Sequence, residues 1–135
     1  MGNRVGAQGS EPGKADRLAR YRRGRLSELI AAALLMAKGY RILACRCRTP
    51  YGEIDLIAVR GRRLAFVEVK HRPTREQAEA ALSDYQGHRI AEAAEYWIGR
   101  RPRYRDHDRG LDAVLVAPLR WPVHLSDALQ VEGRN

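Results

Sequence analysis

The stretch YGEIDLIAVRGRRLAFVEVK, residues 51–70, decides how the rest of this chain is read. Two β-rich apolar runs, 53–59 and 64–70, flank Arg60 to Arg63 with Gly61 inside, the pattern of a hairpin around a tight turn. Glu53, Asp55, Glu68 and Lys70 interrupt the apolar pattern. Side chains alternate across a strand, so Glu53 shares a face with Asp55, and Glu68 with Lys70. A two-residue turn at Gly61-Arg62 puts Asp55 opposite Glu68, whereas a turn at Arg60-Gly61 puts Glu53 there. Either register gathers all four groups on one face. Directly opposed side chains have Cβ atoms about 5 Å apart, where like charges repel. The carboxylates therefore need a positive neighbour. An oxygen-loving divalent cation meets that need, and so does a structural ion pair with Lys70.

Outward from the hairpin, YRILACR (40–46) alternates as a first strand and LDAVLVA (111–117) reads as a fourth. The strands are apolar on both faces, as in a sheet covered on both sides. Residues 17–38 carry Leu26, Leu29, Ile30, Ala33, Leu34 and Ala37 at helical spacing, with Gly39 as a stop. A second helix spans about 84–99, its buried stripe being Ile90, Ala93, Ala94, Trp97 and Ile98. Ser83 and Gln86 have capping-box spacing before it. A basic loop (100–110) precedes the fourth strand, and VHLSDAL (123–129) forms a short tail segment. The order αβββαβ predicts an α/β fold, a mixed β-sheet flanked by helices. Residues 1–16 are glycine-rich with few apolar side chains and are expected to be a disordered tail. A single domain over 17–129 and a C-terminal tail at 130–135 complete the expected organisation.

The 135 residues can bury a core without disulfides. With 25 Lys+Arg against 16 Asp+Glu, the net charge of +9 favours a polyanionic partner, nucleic acid ahead of an acidic membrane surface. Cys45 and Cys47 sit two apart on one strand, a poor geometry for a disulfide and too few ligands for zinc. Reduced thiols place the chain in a reducing compartment. Arg22-Arg23 ahead of LIAAALLMA (29–37) has the outline of an export signal, but Glu28 interrupts it and Lys38-Gly39 replaces a cleavage site. Nine apolar residues cannot span a bilayer. The expectation is a cytoplasmic protein without a membrane partner.

The sequence resembles two groupings, one nested in the other. Asp55 followed by Glu68-Val69-Lys70 on a hairpin looks like the PD-(D/E)xK motif of restriction-endonuclease-like nucleases, whose shared core is αβββαβ. More narrowly, GYRILA (39–44), RTPYGEIDLIA (48–58) and FVEVKHR (66–72) resemble the YraN-like bacterial family, over roughly residues 22–129. The resemblance implies a nuclease fold related to Holliday-junction resolvases. By that resemblance Asp55 and Glu68 are ligands of Mg²⁺ or Mn²⁺, with the Val69 carbonyl as a third. Lys70 handles the attacking water and phosphate charge, Glu28 matches the acid of the first helix, and Gln86 the polar residue of the helix after the motif. Ser27 stands where relatives carry Gly or Ala, and His71 where they carry a small polar residue.

Each of these residues also has a plainer reading. Glu28 suits the first part of a helix as a solvent-facing acid, although Ala31, Ala32 and Leu35 follow it on an apolar face. Gln86 is equally a capping residue. Arg100, Arg101, Arg103, Tyr104 and Arg105 form a set able to track a phosphate backbone, or else a solvated loop. Asp112 reads as a strand-edge hydrogen-bonding residue. The expected function is metal-dependent hydrolysis of phosphodiester bonds in nucleic acid, DNA foremost and branched forms included. The alternative is a non-catalytic nucleic-acid-binding protein on the same fold. Substrate structure and oligomeric state are not fixed by the sequence.

Overall fold

The hairpin forms the middle of the sheet in the computed structural model of the chain, which describes residues 13–82 and 84–129, without the side chains of residues 21, 23 and 84–86. In chain order the elements are α1 (Lys14–Ala37), β1 (Arg41–Thr49), β2 (Gly52–Arg60), β3 (Arg63–His71), α2 (Arg75–Ala80), α3 (Asp84–Gly99), a 3₁₀ turn (Pro102–Tyr104), β4 (Asp108–Val116) and β5 (Val123–Leu125). The strands lie side by side in the order β1-β2-β3-β4-β5. Only β3 and β4 run parallel; the other neighbours are antiparallel. A parallel pair needs a long crossover, which α2 and α3 provide. The result is the expected mixed sheet flanked by helices, compatible with an αβββαβ core.

The pairing of Arg60 with Arg63 chooses between the two hairpin registers: Gly61-Arg62 is the turn. Gly61 takes a positive φ of 59° while Arg62 does not, the Gly-X arrangement of a tight hairpin. Each sheet face then carries its own core. On one, Ala31, Leu35 and Tyr40 pack on Leu56, Ala58, Ala65, Val67, Val114 and Val116. On the other, Ile90, Ala93, Ala94, Trp97 and Ile98 cover Ile54, Ile57, Val59, Leu64 and Phe66, as the sequence pattern of α3 predicts.

Several expectations need correction. Helix α1 begins at Lys14, so residues 14–16 are helical, favoured by Asp16 in the first turn; residues 1–12 lie outside the described part. Its buried stripe is Ser27, Ala31 and Leu35, whereas Leu26, Leu29 and Met36 are more than half exposed. The α1 sequence holds two apolar stripes, and the smaller residues allow closer approach to the sheet. Helix α2 was not expected, although Thr74 caps it by accepting a 3.1 Å bond from the Gln77 N–H, a T-x-x-Q capping signal. Strand β4 starts at Asp108, inside the expected basic loop, because its parallel pairing with β3 extends to Arg63. β5 lies in the tail segment. Among the described residues, no helix is long and apolar enough to cross a membrane.

Candidate functional site

The two central strands do not stay paired along their whole length. Their pairing runs from Arg60–Arg63 to Leu56–Val67 and stops, although both strands continue. Beyond that point β2 remains bonded to β1 through Ile54 and Glu53, while β3 remains bonded to β4 through His71. The sheet therefore forks, and Asp55 and Glu68 stand at the fork, each the first residue beyond the last pair, Leu56–Val67. Ile54 and Ile57 pack into the same core cluster although three residues apart, while Leu56 packs on the opposite face. Strict alternation thus breaks at Asp55, as it must for the carboxylate to turn into the gap. There its Oδ2 accepts a 2.8 Å hydrogen bond from the Val69 N–H, replacing the missing ladder bond.

Glu68 and Lys70 are each only 8% exposed. Glu68 is held by two cations: Lys70 Nζ lies 3.4 Å from Oε2, and Arg89 of α3 donates to Oε1 at 3.0 Å. Arg89 also donates to the Glu53 carbonyl oxygen at 3.0 Å. It passes so close to Gly52, whose φ is 120°, that a Cβ there would meet the guanidinium at 2.6 Å. Sequence reading missed Arg89, because 21 residues separate it from Glu68 and only the packing of α3 brings them together.

Among the described residues Asp55 has no direct ion-pair partner, only a weaker attraction to Lys70. Burial first, then the Glu68 and Glu28 carboxylates, push its pKa from the ordinary 3.8 up to about 7, against the opposing pull of the Val69 N–H and Lys70. Glu28 is not the solvent-facing acid of its plainer reading: its side chain is 16% exposed and pairs with Arg46 Nε at 2.7 Å. Glu53 departs from the one-face expectation. It pairs with Arg48 at 3.7 Å on the surface, its side chain 43% exposed.

The side chain of Gln86 lies outside those described. The basic loop does not present its five residues as one surface. Tyr104 is buried, its ring 5.4 Å from Trp97, so it belongs to the core and is closed to stacking with a base. Arg101 lies over the Trp97 ring, centroid distance 4.4 Å, and Arg100 over Tyr96 at 5.6 Å. Arg103 lines an open cleft with Arg41, Arg60 and His107 at the hairpin-turn end of the sheet, while Arg105 lines another with Glu95 and Arg109.

A second buried acid, Asp112 on β4, shows what full compensation looks like. Arg63 donates to both its oxygens at 2.7 and 2.9 Å, the Asp127 N–H donates at 2.8 Å, and His124 Nε2 lies 2.8 Å away. Burial favours its neutral form, but these bonds outweigh it and hold the pKa down at about 2. Asp112 is thus the centre of a buried ion network and not the strand-edge residue its position suggests. Gly110 completes it, since a Cβ at that position would collide with the Arg63 guanidinium.

Chemically, the fork offers two carboxylates, Asp55 and Glu68, as oxygen donors. Among the described residues no three His, Cys, Asp or Glu side chains form a metal-holding cluster. Two carboxylates are by themselves a donor set of the kind that hard cations such as Mg²⁺ take, with waters and substrate phosphates completing the shell.

Comparison with known proteins gives the chain's kinship. A model described as "Uncharacterised protein family UPF0102" matches residues 27–116. A UPF0102 protein of Rhodopseudomonas palustris (strain BisB5) is 49% identical over 119 residues, 88% of this chain and 91% of that protein. One from Parvibaculum lavamentivorans is 50% identical over 111 residues (82% and 84%), and one from Mesorhizobium japonicum 48% over 126 (93% and 99%). The chain belongs to the UPF0102 family, the YraN-like family its sequence resembles.

Proposed function

We propose that this UPF0102 member is a metal-dependent nuclease that hydrolyses phosphodiester bonds in nucleic acid, DNA foremost. The observation that carries the reading is the convergence of Asp55, Glu68 and Lys70 where β2 and β3 part. Asp55, Glu68 and the Val69 carbonyl would hold the cation. Bound there, Mg²⁺ or Mn²⁺ would acidify a water and offset charge on the phosphodiester. Lys70 adds a fixed positive charge in a nearly dry site, where it acts more strongly than in water. Arg89 holds Glu68 in place from the α3 side, and Val69 fixes the orientation of Asp55. The raised pKa of Asp55 accords with a site short of one positive charge.

One observation favours a second reading. Both oxygens of Glu68 already have cationic partners, as a structural ion pair on a non-catalytic nucleic-acid-binding protein would. Cleavage assays with Mg²⁺ and Mn²⁺ over duplex, single-stranded, flapped and four-way DNA decide between them. The nuclease reading expects cleavage that Lys70→Ala abolishes. Binding without metal-dependent cleavage, or cleavage unchanged in Lys70→Ala, overturns it.

A further inference from the structure

Among the described residues, the turn after β4 carries the two most exposed large apolar side chains. Between Pro118 and Pro122, Leu119 and Trp121 are fully or nearly fully exposed, at 104% and 90%. Leu119 also takes a positive φ of 61°, a conformation costly for a side chain of its size. Arg120 N–H bonds back to the Ala117 carbonyl at 3.3 Å, closing the turn, and the two prolines restrict the backbone at either end. The exposed side chains therefore sit on a constrained turn.

Its place in the fold matters as much. β4 ends at Val116, which pairs with His71, the residue after Lys70, and Arg72 N–H bonds to the Val116 carbonyl at 3.2 Å. The turn thus leaves the sheet at the same end as the carboxylate fork. Trp121 is five residues beyond Val116, within about 17 Å of that strand end even if fully extended. Arg120 stands between the two apolar side chains, and the chain as a whole carries +9.

We propose that Trp121, with Leu119 beside it, is a stacking wedge for unpaired nucleobases at the same end of the sheet as the carboxylate fork. This rests on the nucleic-acid reading above and narrows its substrate class to strands with unpaired bases. An aromatic face accepts any base, and apolar side chains inserted between base steps hold them apart. The positive surroundings suit the phosphate backbone on either side of such bases. The interior of a duplex offers Trp121 nothing to stack on, so a blunt duplex presents only its two ends, whereas single strands and junctions present unpaired bases along the strand.

Fluorescence provides the test, because of the two tryptophans Trp97 is 3% exposed and Trp121 is 90% exposed. In EDTA, a 12-nucleotide single strand should quench the emission of the parent, and a blunt 20-base-pair duplex should leave it nearly unchanged. Trp121→Ala should bind the labelled single strand about 5- to 150-fold more weakly by anisotropy, the range found for loss of one stacked base. Trp121→Phe should restore most of the loss, and duplex affinity should change little in either variant. Equal single-strand binding by parent and Trp121→Ala, with parental emission unmoved, overturns the wedge. If Lys70-dependent cleavage persists in that case, the nuclease reading stands without it. Binding of neither nucleic acid at low salt overturns the wedge together with the nucleic-acid reading. A blue shift on anionic vesicles but not on oligonucleotides assigns the turn to a membrane surface. Self-association lost in Trp121→Ala, without oligonucleotide quenching, assigns it to a second copy of the chain. Each of these last two results also overturns the wedge.

Discussion

Replacing Asp55 by Asn should stabilise the metal-free protein at neutral and mildly alkaline pH. The folded protein holds the Asp55 proton up to about pH 7, whereas the unfolded chain releases it near 3.8. Below 3.8 both states are protonated and the group favours neither. Between those values the folded state binds more protons, so the group's contribution falls as pH rises, by about 1.4 kcal/mol per unit. Above pH 7 both states are ionised and the penalty is constant, at most about 4 kcal/mol for this shift. Asn keeps nearly the same shape and an oxygen to accept the Val69 N–H, but it buries an amide that costs on the order of 1 kcal/mol if poorly partnered. The expected net gain at pH 8 is about 2–3 kcal/mol, a rise of several degrees in Tm for a chain of this size. Thermal or urea unfolding of both proteins in EDTA, from pH 4 to pH 8, measures it. The difference should vanish towards pH 4. A variant less stable than the parent at every pH, or a difference that does not change between pH 4 and 8, would refute the uncompensated carboxylate. Such a result would mean that Asp55 is ionised and structurally paired. A further arm adds excess Mn²⁺: the parent should gain stability by mass action, and Asp55→Asn should lose most of that gain.

Other outcomes follow from the same geometry. Lys70→Ala should abolish cleavage while leaving Mn²⁺ affinity by calorimetry nearly intact, and Glu68→Ala should lose both; equal loss of affinity in the two would show Lys70 is misassigned. Arg63→Ala leaves the fully buried Asp112 without its main partner and should cost about 3–5 kcal/mol in urea unfolding; a cost under about 1 kcal/mol would show that the network contributes little. Gly110→Ala drives a methyl into the Arg63 guanidinium, so its cost should largely disappear when Arg63 is already Ala. Additive costs in that double-mutant cycle would contradict the steric account.

What the sequence revealed, and what it hid, follows from the range of each interaction. The hairpin was legible because strand alternation and turn chemistry are local, but Gly61 allows a turn at Gly61-Arg62 or at Arg60-Gly61, and only the pairing of Arg60 with Arg63 sets Asp55 rather than Glu53 towards Glu68. The α3 stripe was legible because only one face of that helix is apolar. On α1 the same method picked Leu26 and Leu29, since periodicity counts hydrophobic residues and cannot weigh how closely Ser27 and Ala31 let a helix approach a sheet. The T-x-x-Q signal of α2 was present at Thr74 and Gln77 and went unread. Arg89 against Glu68 and Arg63 against Asp112 are contacts between distant segments. Nothing in either residue's neighbours in sequence announces its partner.

The two aspartates on inner strands of the sheet support the functional reading more strongly together than either does alone. Asp112 and Asp55 are the same residue type, Asp112 fully buried and Asp55 partly buried. At Asp112 the fold supplies a bidentate guanidinium, an imidazole and a backbone N–H, and the carboxylate is held ionised, near pKa 2. The chain therefore has the means to compensate a buried carboxylate fully. At the fork it directs Lys70 and Arg89 to Glu68, leaves Asp55 the Val69 N–H and a weaker attraction to Lys70, and adds Glu28 to the nearby negative charge. A purely structural arrangement would gain stability by giving Asp55 a direct cationic partner as well, and Arg46 is close enough to Glu28 to belong to the same neighbourhood. That the pairing stops short at this one carboxylate, where the sheet opens, is the pattern expected where the missing positive charge arrives with a ligand.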